Sequence, residues 1–360
     1  MFWRDKLIYL IVLILMVIPL YPKFPLLGVG GTFVAVRLED IVIAIVVAVW
    51  AWVNLTRWRE ISRQPIVRSI WLYWLIGAVS VFSAIFVTKT ATLSLGALHW
   101  LRRVEYMSLF MVAISALKNR DQLNFIIRVI LITSVIVAVY GIGQLLFNFP
   151  VISTNNSEFS KGLALSLGPG ARINSTFGGH YDLAAYSIFP LLLVIGLLFQ
   201  PGKNKSVLMG IGALVYWAMI LSASRVTFAA FFVSSGILLW WLQQKKWLIL
   251  WLAVALVSVW LSPQLAGRYQ ELLIPRVSAA VDEEVPDALK PAQVAEDRSL
   301  NIRLKAEWPK AMRALAKNPI LGTGFSSVGL AVDNDYLRSL AETGVLGTLA
   351  LGFVFLRVFK

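Results

Sequence analysis

The chain has 360 residues, of which 58% are hydrophobic and 14% charged, with a formal net charge of +14. A soluble domain of that length needs far more polar surface, so the composition makes lipid the solvent. With no cysteine and only two histidines, a thiol nucleophile, a disulfide framework, Cys-ligated zinc, c-type haem and a multi-histidine metal centre are excluded.

A hydrocarbon core of about 30 Å needs about 20 apolar residues in helix. In chain order, such runs are predicted near Leu7–Tyr21, Phe33–Val53, Ser69–Thr88, Leu93–Leu117 and Asn124–Phe149. Others follow near Leu183–Gln200, Val207–Leu221, Val226–Leu242, Trp247–Leu261 and Asn334–Val358. The first run starts after Arg4 and Lys6, as a signal peptide does. Only Tyr21-Pro22-Lys23-Phe24-Pro25 follows it, with no small-residue cleavage site, so it reads as a retained helix.

The basic residues sit in short clusters between apolar runs, a pattern of membrane orientation rather than of nucleic-acid binding. Arg57, Arg59, Arg63 and Arg68 fall in one connection, Lys118 and Arg120 in another, Lys203 with Lys205 and Lys245 with Lys246 in two more. An inside N-terminus makes all four cytoplasmic, and both termini as well. Segments 150–182 and 262–333 then lie outside, as does the turn at Ser224-Arg225. Trp50, Trp52, Trp240 and Trp241 suit an interfacial belt.

The expectation is therefore all-α: a polytopic transmembrane helix bundle of about ten spans with an extracytoplasmic, partly helical segment. Residues 1–261 form the membrane domain with nine spans, 262–333 the outer loop, and 334–360 the final span. The loop has an acidic, Pro-containing middle (Asp282 to Asp297). After it, Leu300, Leu304, Trp308, Ala311 and Leu315 recur at helical spacing, an amphipathic surface helix bent at Pro309. The turn Asn318-Pro319-Ile320-Leu321-Gly322-Thr323-Gly324 ends it. No repeat of half the chain is evident, which disfavours the inverted-repeat transporters.

Polar chemistry gathers in four places. Arg172-Ile173-Asn174-Ser175-Thr176-Phe177-Gly178-Gly179-His180-Tyr181-Asp182 leads into a helix, with Asp182 where an N-cap belongs. Ser222-Ala223-Ser224-Arg225 puts an arginine on a short outer turn, against the orientation bias. That arginine either snorkels to the interface or meets an anionic ligand. His99-Trp100-Leu101-Arg102-Arg103-Val104-Glu105-Tyr106 lies inside the fourth apolar run. There Arg102 and Glu105 can neutralise one another on a helix, or residues 90–103 form a surface helix ahead of the span. Asp333-Asn334-Asp335-Tyr336 marks re-entry into the membrane. Asp333 there is either a helix cap or a chemical group, and the Asp-x-Asp triplet alone is a weak metal signal. Guanidinium groups bind phosphate oxygens bidentately and stay charged, so a lipid-borne pyrophosphate suits these outer arginines.

At these residues the sequence resembles the O-antigen ligase and O-antigen polymerase superfamily of bacterial envelope glycosyltransferases. The matching stretches are Arg172 with Ser175-Thr176-Phe177-Gly178, Leu183-Ala184-Ala185-Tyr186 and Ser222-Ala223-Ser224-Arg225. Arg303, Trp308, Asn318 to Gly324, Asn334-Asp335-Tyr336-Leu337 and Leu340-Ala341-Glu342-Thr343-Gly344 complete the set. The order and spacing over about residues 170–350 carry the resemblance; the first five spans match only in hydropathy.

The resemblance implies a C-type glycosyltransferase-like fold in the bacterial inner membrane, active on the periplasmic face without cofactor or metal. The donor is a glycan on undecaprenyl pyrophosphate, and the acceptor is a lipid, a glycan chain or a protein hydroxyl. It places donor-pyrophosphate arginines at Arg172 and Arg225, with Arg303, Arg102 and Arg103 as further candidates. Asn334, Tyr336, Asp182 and Glu342 fall on the structural or acceptor side. Two departures stand out. Where the family has a histidine before the Asn-x-Tyr-Leu motif, this chain has Asp333. It also stops at Lys360, where relatives continue, as a short or truncated member does. For the proton acceptor, Asp333 holds the motif position and His180 is the second candidate. The rival classes are a polar-lipid transporter or flippase, and a metal-dependent glycosyltransferase using Asp333 and Asp335.

Overall fold

The computed structural model describes residues 6–21, 23, 25–28, 35–151, 167–168, 171–261, 303–329 and 334–359. Each of the ten predicted apolar runs corresponds to a helix. In chain order these are α1 (Leu7–Leu20), α2 (Leu38–Asn54), α3 (Pro65–Phe86), α4 (Leu93–Ala116) and α5 (Arg120–Leu146). Next come α6 (His180–Leu198), α7 (Lys205–Leu221), α8 (Arg225–Trp241) and α9 (Trp247–Leu261). A short α10 (Trp308–Lys317) precedes α11 (Asp335–Val358).

Local chemistry sets several starts. Pro65 opens α3, where its missing N–H has no partner to lose. The Asn119 side chain accepts from the Gln122 N–H at 2.9 Å to cap α5, and Asn204 accepts from the Val207 N–H at 3.2 Å to cap α7. The charged stretch of α4 does not break it, and residues 93–116 form one continuous helix. Pro309 falls in the first turn of α10 rather than at a bend within it, and Arg303–Glu307 wind as a π turn just before.

One predicted boundary moves. The second run was expected to be helical from Phe33, whereas Pro25–Gly28 (β1) and Ala35–Arg37 (β2) pair as an antiparallel ribbon. Helix α2 begins only at Leu38 because a cap sits there: the Arg37 N–H donates to Asp40 Oδ2 at 2.9 Å.

Among the described residues, five helical stretches are long and apolar enough to cross a membrane: Leu38–Ser62, which extends α2, and α3, α5, α6 and α11. The shorter apolar helices α1, α7, α8 and α9 have 14, 17, 17 and 15 residues. A 17-residue helix is about 25 Å long, just under a hydrocarbon core. Packing divides the chain into two compact units. The first is Met1–Leu7, Ile43–Ala116 and Ala280–Lys360; the second is Ile8–Val42 and Leu117–Ala279.

In the second unit α6 packs against α5, α7 and α8, and α8 against α9. Its core runs through Val137, Ile173, Phe177, Leu183, Ala223 and Phe231. In the first unit α3 packs against α4 and α11, and α10 against α11. The break in α11 positions the loop at 318–324. Gly344 has φ 66° and ψ −171°, a conformation open essentially to glycine alone. The carbonyls around the break are taken up by the loop: Thr323 N–H donates to Ala341 O and Gly324 N–H to Glu342 O, each at 2.9 Å. In return the Val345 N–H donates to Pro319 O at 2.9 Å. Buried irregular backbone persists only when its polar groups are paired like this.

Candidate active site

In the second unit the loop 171–179 is clamped onto the end of α5. Buried Gln144 accepts from the Ser175 N–H at 2.8 Å and donates to the Ser175 carbonyl at 2.9 Å. Ser175 Oγ donates to Val137 O at 2.7 Å, and the Thr176 hydroxyl donates to Pro19 O near the end of α1. Gly141 allows this approach, since a Cβ there would lie 3.1 Å from Ile173 and 3.2 Å from Ser175.

The clamp delivers Arg172 to the first residue of α6. Arg172 Nη1 stands 3.2 Å from His180 Nε2, and the His180 ring lies against Tyr181 with centroids 4.0 Å apart. Residues 199–204 connect α6 to α7, so these neighbours run antiparallel. The turn Ser222-Ala223-Ser224 therefore sits at the same end as His180. Arg225 opens α8 there, and the core cluster of this unit contains both Ile173 and Ala223. Lys203, Lys205, Lys245 and Lys246 flank the connections at the opposite end.

Asp182 does not cap α6. Gly179 is the N-cap, and the Asp182 carboxylate, one turn in, accepts the Gly179 N–H, the return half of a capping box. Asp182 lies in the field of Arg37 first, then Lys23 and Glu39. Those three residues were not singled out from the sequence. Lys23 and Glu39 form a buried ion pair, and Arg37 Nη1 is 3.4 Å from Glu39 Oε1. A signal was there: Glu39 falls within the second predicted apolar run, where a carboxylate demands a partner.

The first unit holds a second polar assembly. Glu342, 2% exposed, accepts from the Ser326 N–H at 3.1 Å and from Arg338 Nε at 3.3 Å. Arg338 Nη2 also donates to Gly329 O at 2.9 Å. Arg103 lies over the Phe325 ring at 5.7 Å, and its charge reaches Glu342 and Tyr73. Arg102 lies over Tyr106 at 5.8 Å. His99 stands in the fields of Arg338, Arg102 and Arg103. Arg303 belongs to the π turn before α10. The cap of α11 is Asn334, whose side chain accepts from the Tyr336 and Leu337 N–H groups at 3.1 Å each. Tyr336 is 87% exposed. Asp333, together with the outer-loop residues up to 302, lies outside the described residues; the capping role considered for it belongs to Asn334.

The structure thus brings Arg172, His180 and Arg225 to one end of the second unit. Arg102, Arg103, Arg303, Asn334, Tyr336 and Glu342 belong to the first. Runs of apolar helix with charged assemblies at helix breaks and ends define a multi-pass membrane protein. Residues 209–352 match the family model for O-antigen ligase, from α7 through α11. That match supports an O-antigen ligase-like assignment for this stretch of the chain. No curated protein and no solved structure gives a significant match. Arg225, Arg303, Asn334, Tyr336 and Glu342 fall within the matched residues, whereas Arg102, Arg103, Arg172 and His180 precede them.

Proposed function

We propose that this protein transfers a glycan from undecaprenyl pyrophosphate to an acceptor hydroxyl on the periplasmic side of the bacterial inner membrane. The observation that supports the reading is the chain path of the second unit, in which the loop carrying Arg172 enters α6 at the end where α7 finishes and Arg225 opens α8, with Ile173 and Ala223 in one buried cluster. In that reading the basic ends around Lys203 and Lys245 face the cytoplasm, as do both termini, and the arginine end faces out. The first nine helical runs form the membrane domain of residues 1–261, residues 262–333 the outer segment and residues 334–360 a final span.

The chemistry needs two things from the protein. The acceptor oxygen attacks the anomeric carbon and loses its proton to a base, for which Asp333 and His180 are the candidates. The pyrophosphate departs with its charge, which fixed guanidinium groups in a low-dielectric site stabilise without reorganising. Arg172 and Arg225 take that role. An apolar cavity of about 200 Å³ among α6–α9 is lined by Leu191, Val194, Met209, Tyr216 and Trp251, room for a segment of the prenyl chain. Its upper edge at Leu191 is eleven residues, about 16 Å, along α6 from His180. The acceptor is a lipid, a glycan chain or a protein.

Purified protein incubated with a lipid-linked glycan and candidate acceptors tests the reading, with the product identified by mass. A glycosylated acceptor and released prenyl pyrophosphate are expected. Unchanged substrates with every acceptor class would overturn the assignment.

A further inference from the structure

The Arg172–His180 contact fixes more than a position. A guanidinium only donates hydrogen bonds and is not deprotonated in proteins. At 3.2 Å from Arg172 Nη1, His180 Nε2 must therefore be the acceptor, so the ring is neutral with its proton on Nδ1. The lone pair that would take up a proton is the one engaged by Arg172. As long as that bond stands, His180 is a poor base.

We propose that Arg172 and His180 form a switch operated by the donor, in which the arriving pyrophosphate draws Arg172 away and turns His180 into the proton acceptor. This rests on the donor reading given above. Phosphate oxygens are far stronger partners for a guanidinium than a neutral imidazole is, because the hydrogen bonds become charge-assisted and bidentate. The exchange exposes the Nε2 lone pair. It also brings negative charge beside the ring, which favours the imidazolium that forms next.

The surroundings are built to hold this arrangement. Gln144 and Ser175 anchor the loop that carries Arg172. His180 is the first residue of a 19-residue helix, with Asp182 in the same turn and Lys23, Arg37 and Glu39 acting on that carboxylate. Tyr181 lies against the ring.

The step balances. The acceptor O–H bond breaks and its proton goes to Nε2. The oxygen electron pair forms the bond to the anomeric carbon, and the bond from that carbon to the pyrophosphate oxygen breaks with its electrons on the leaving group. The imidazolium returns its proton to water as the prenyl pyrophosphate departs, and Arg172 closes back onto Nε2. The reaction is thereby coupled to occupancy, since the base is uncovered only when a donor is bound.

The full chain in nanodiscs, labelled with ¹⁵N-histidine, tests this directly, since only His99 and His180 contribute ring signals. A His99→Gln variant assigns them. Before ligand is added, the His180 pattern is expected to be that of the Nδ1–H tautomer. Titration with a short prenyl pyrophosphate is expected to move the Nε2 signal in step with the ³¹P signal. Inorganic pyrophosphate serves as the arm that lacks a lipid tail. Arg172→Met is expected to show the shifted Nε2 signal with no ligand present. His180→Gln keeps an acceptor for Arg172 but cannot take a proton. It is expected to bind prenyl pyrophosphate within a few-fold of wild type by ³¹P shift, while kcat falls about 10²–10⁴-fold. A ³¹P signal that saturates while Nε2 stays still, or normal turnover in His180→Gln, overturns the switch and leaves the donor reading intact. No ³¹P response at all overturns the donor reading, and the switch with it.

Discussion

Gln144 and Ser175 exchange two hydrogen bonds, side-chain oxygen to N–H at 2.8 Å and side-chain nitrogen to carbonyl at 2.9 Å. Ser175 is 31 residues further along the chain, at φ 54°, and reads to this glutamine as one strand reads to another. Gln144→Met fills similar volume but leaves the Ser175 N–H and carbonyl buried without this partner. Each orphaned group costs about 1–3 kcal/mol. A lower unfolding temperature and a weakened Arg172–His180 pairing are expected together, measurable by thermal unfolding and by the His180 ring signals. An unchanged melting profile would remove the clamp from the account.

Gly344 is expected to tolerate no side chain. A Cβ there would stand 2.3 Å from the Ile320 carbonyl oxygen, on top of a backbone cost of about 1–3 kcal/mol. Gly344→Ala should detach the 318–324 loop from α11 and unfold at lower temperature. Gly210→Ala provides the contrast: it lies in α7 with nothing within 4 Å of the new carbon. Equal stability of the two variants would contradict the interlock.

Glu342 answers to a different pair of substitutions. Glu342→Leu strands the Ser326 N–H and a largely buried Arg338, a loss of about 3–5 kcal/mol when one partner of a buried pair is removed. Glu342→Gln keeps an acceptor at Oε1 and is expected to lose much less. The order Leu worse than Gln in thermal unfolding is the readout, and the reverse order would mean the carboxylate does not hold this loop.

How much of this was legible in the sequence follows from the range of the forces involved. All ten apolar runs are helices because hydropathy is a local property, and most ends agree to within a few residues. The glycine turn at 318–324 was visible as punctuation, whereas Gly344 stood out only as the end of a stretch that resembles the family. Their mutual hydrogen bonding was not visible, since backbone pairing between distant segments leaves no trace in spacing. Asp182 stands at a cap-like place in the sequence, but the N-cap is Gly179, which has no side chain to announce itself. Glu39, inside the second apolar run, calls for a partner, but nothing in the spacing names Lys23, 16 residues earlier, as that partner. Among candidate site residues, the Arg172–His180 pairing was within reach of the sequence, eight residues apart in one loop, though the hydrogen bond that sets the tautomer was not.

Orientation is tested by single cysteines in this cysteine-free chain. Ser157→Cys and Ser299→Cys are expected to react with an impermeant thiol reagent added outside intact cells, and Ser62→Cys is not. Labelling of Ser62→Cys from that side would invert the membrane assignment.

The central claim is that Arg172 and Arg225 together hold the donor pyrophosphate and stabilise its departure. Transfer from a lipid-linked glycan by purified wild type, Arg172→Lys and Arg225→Lys measures it most directly, with product quantified by mass. Lysine keeps the charge but not the two-pronged geometry. A loss of about 10²–10³ in kcat is predicted for each variant, the size typical of removing one fixed donor to developing charge. Normal turnover by folded Arg225→Lys would contradict it.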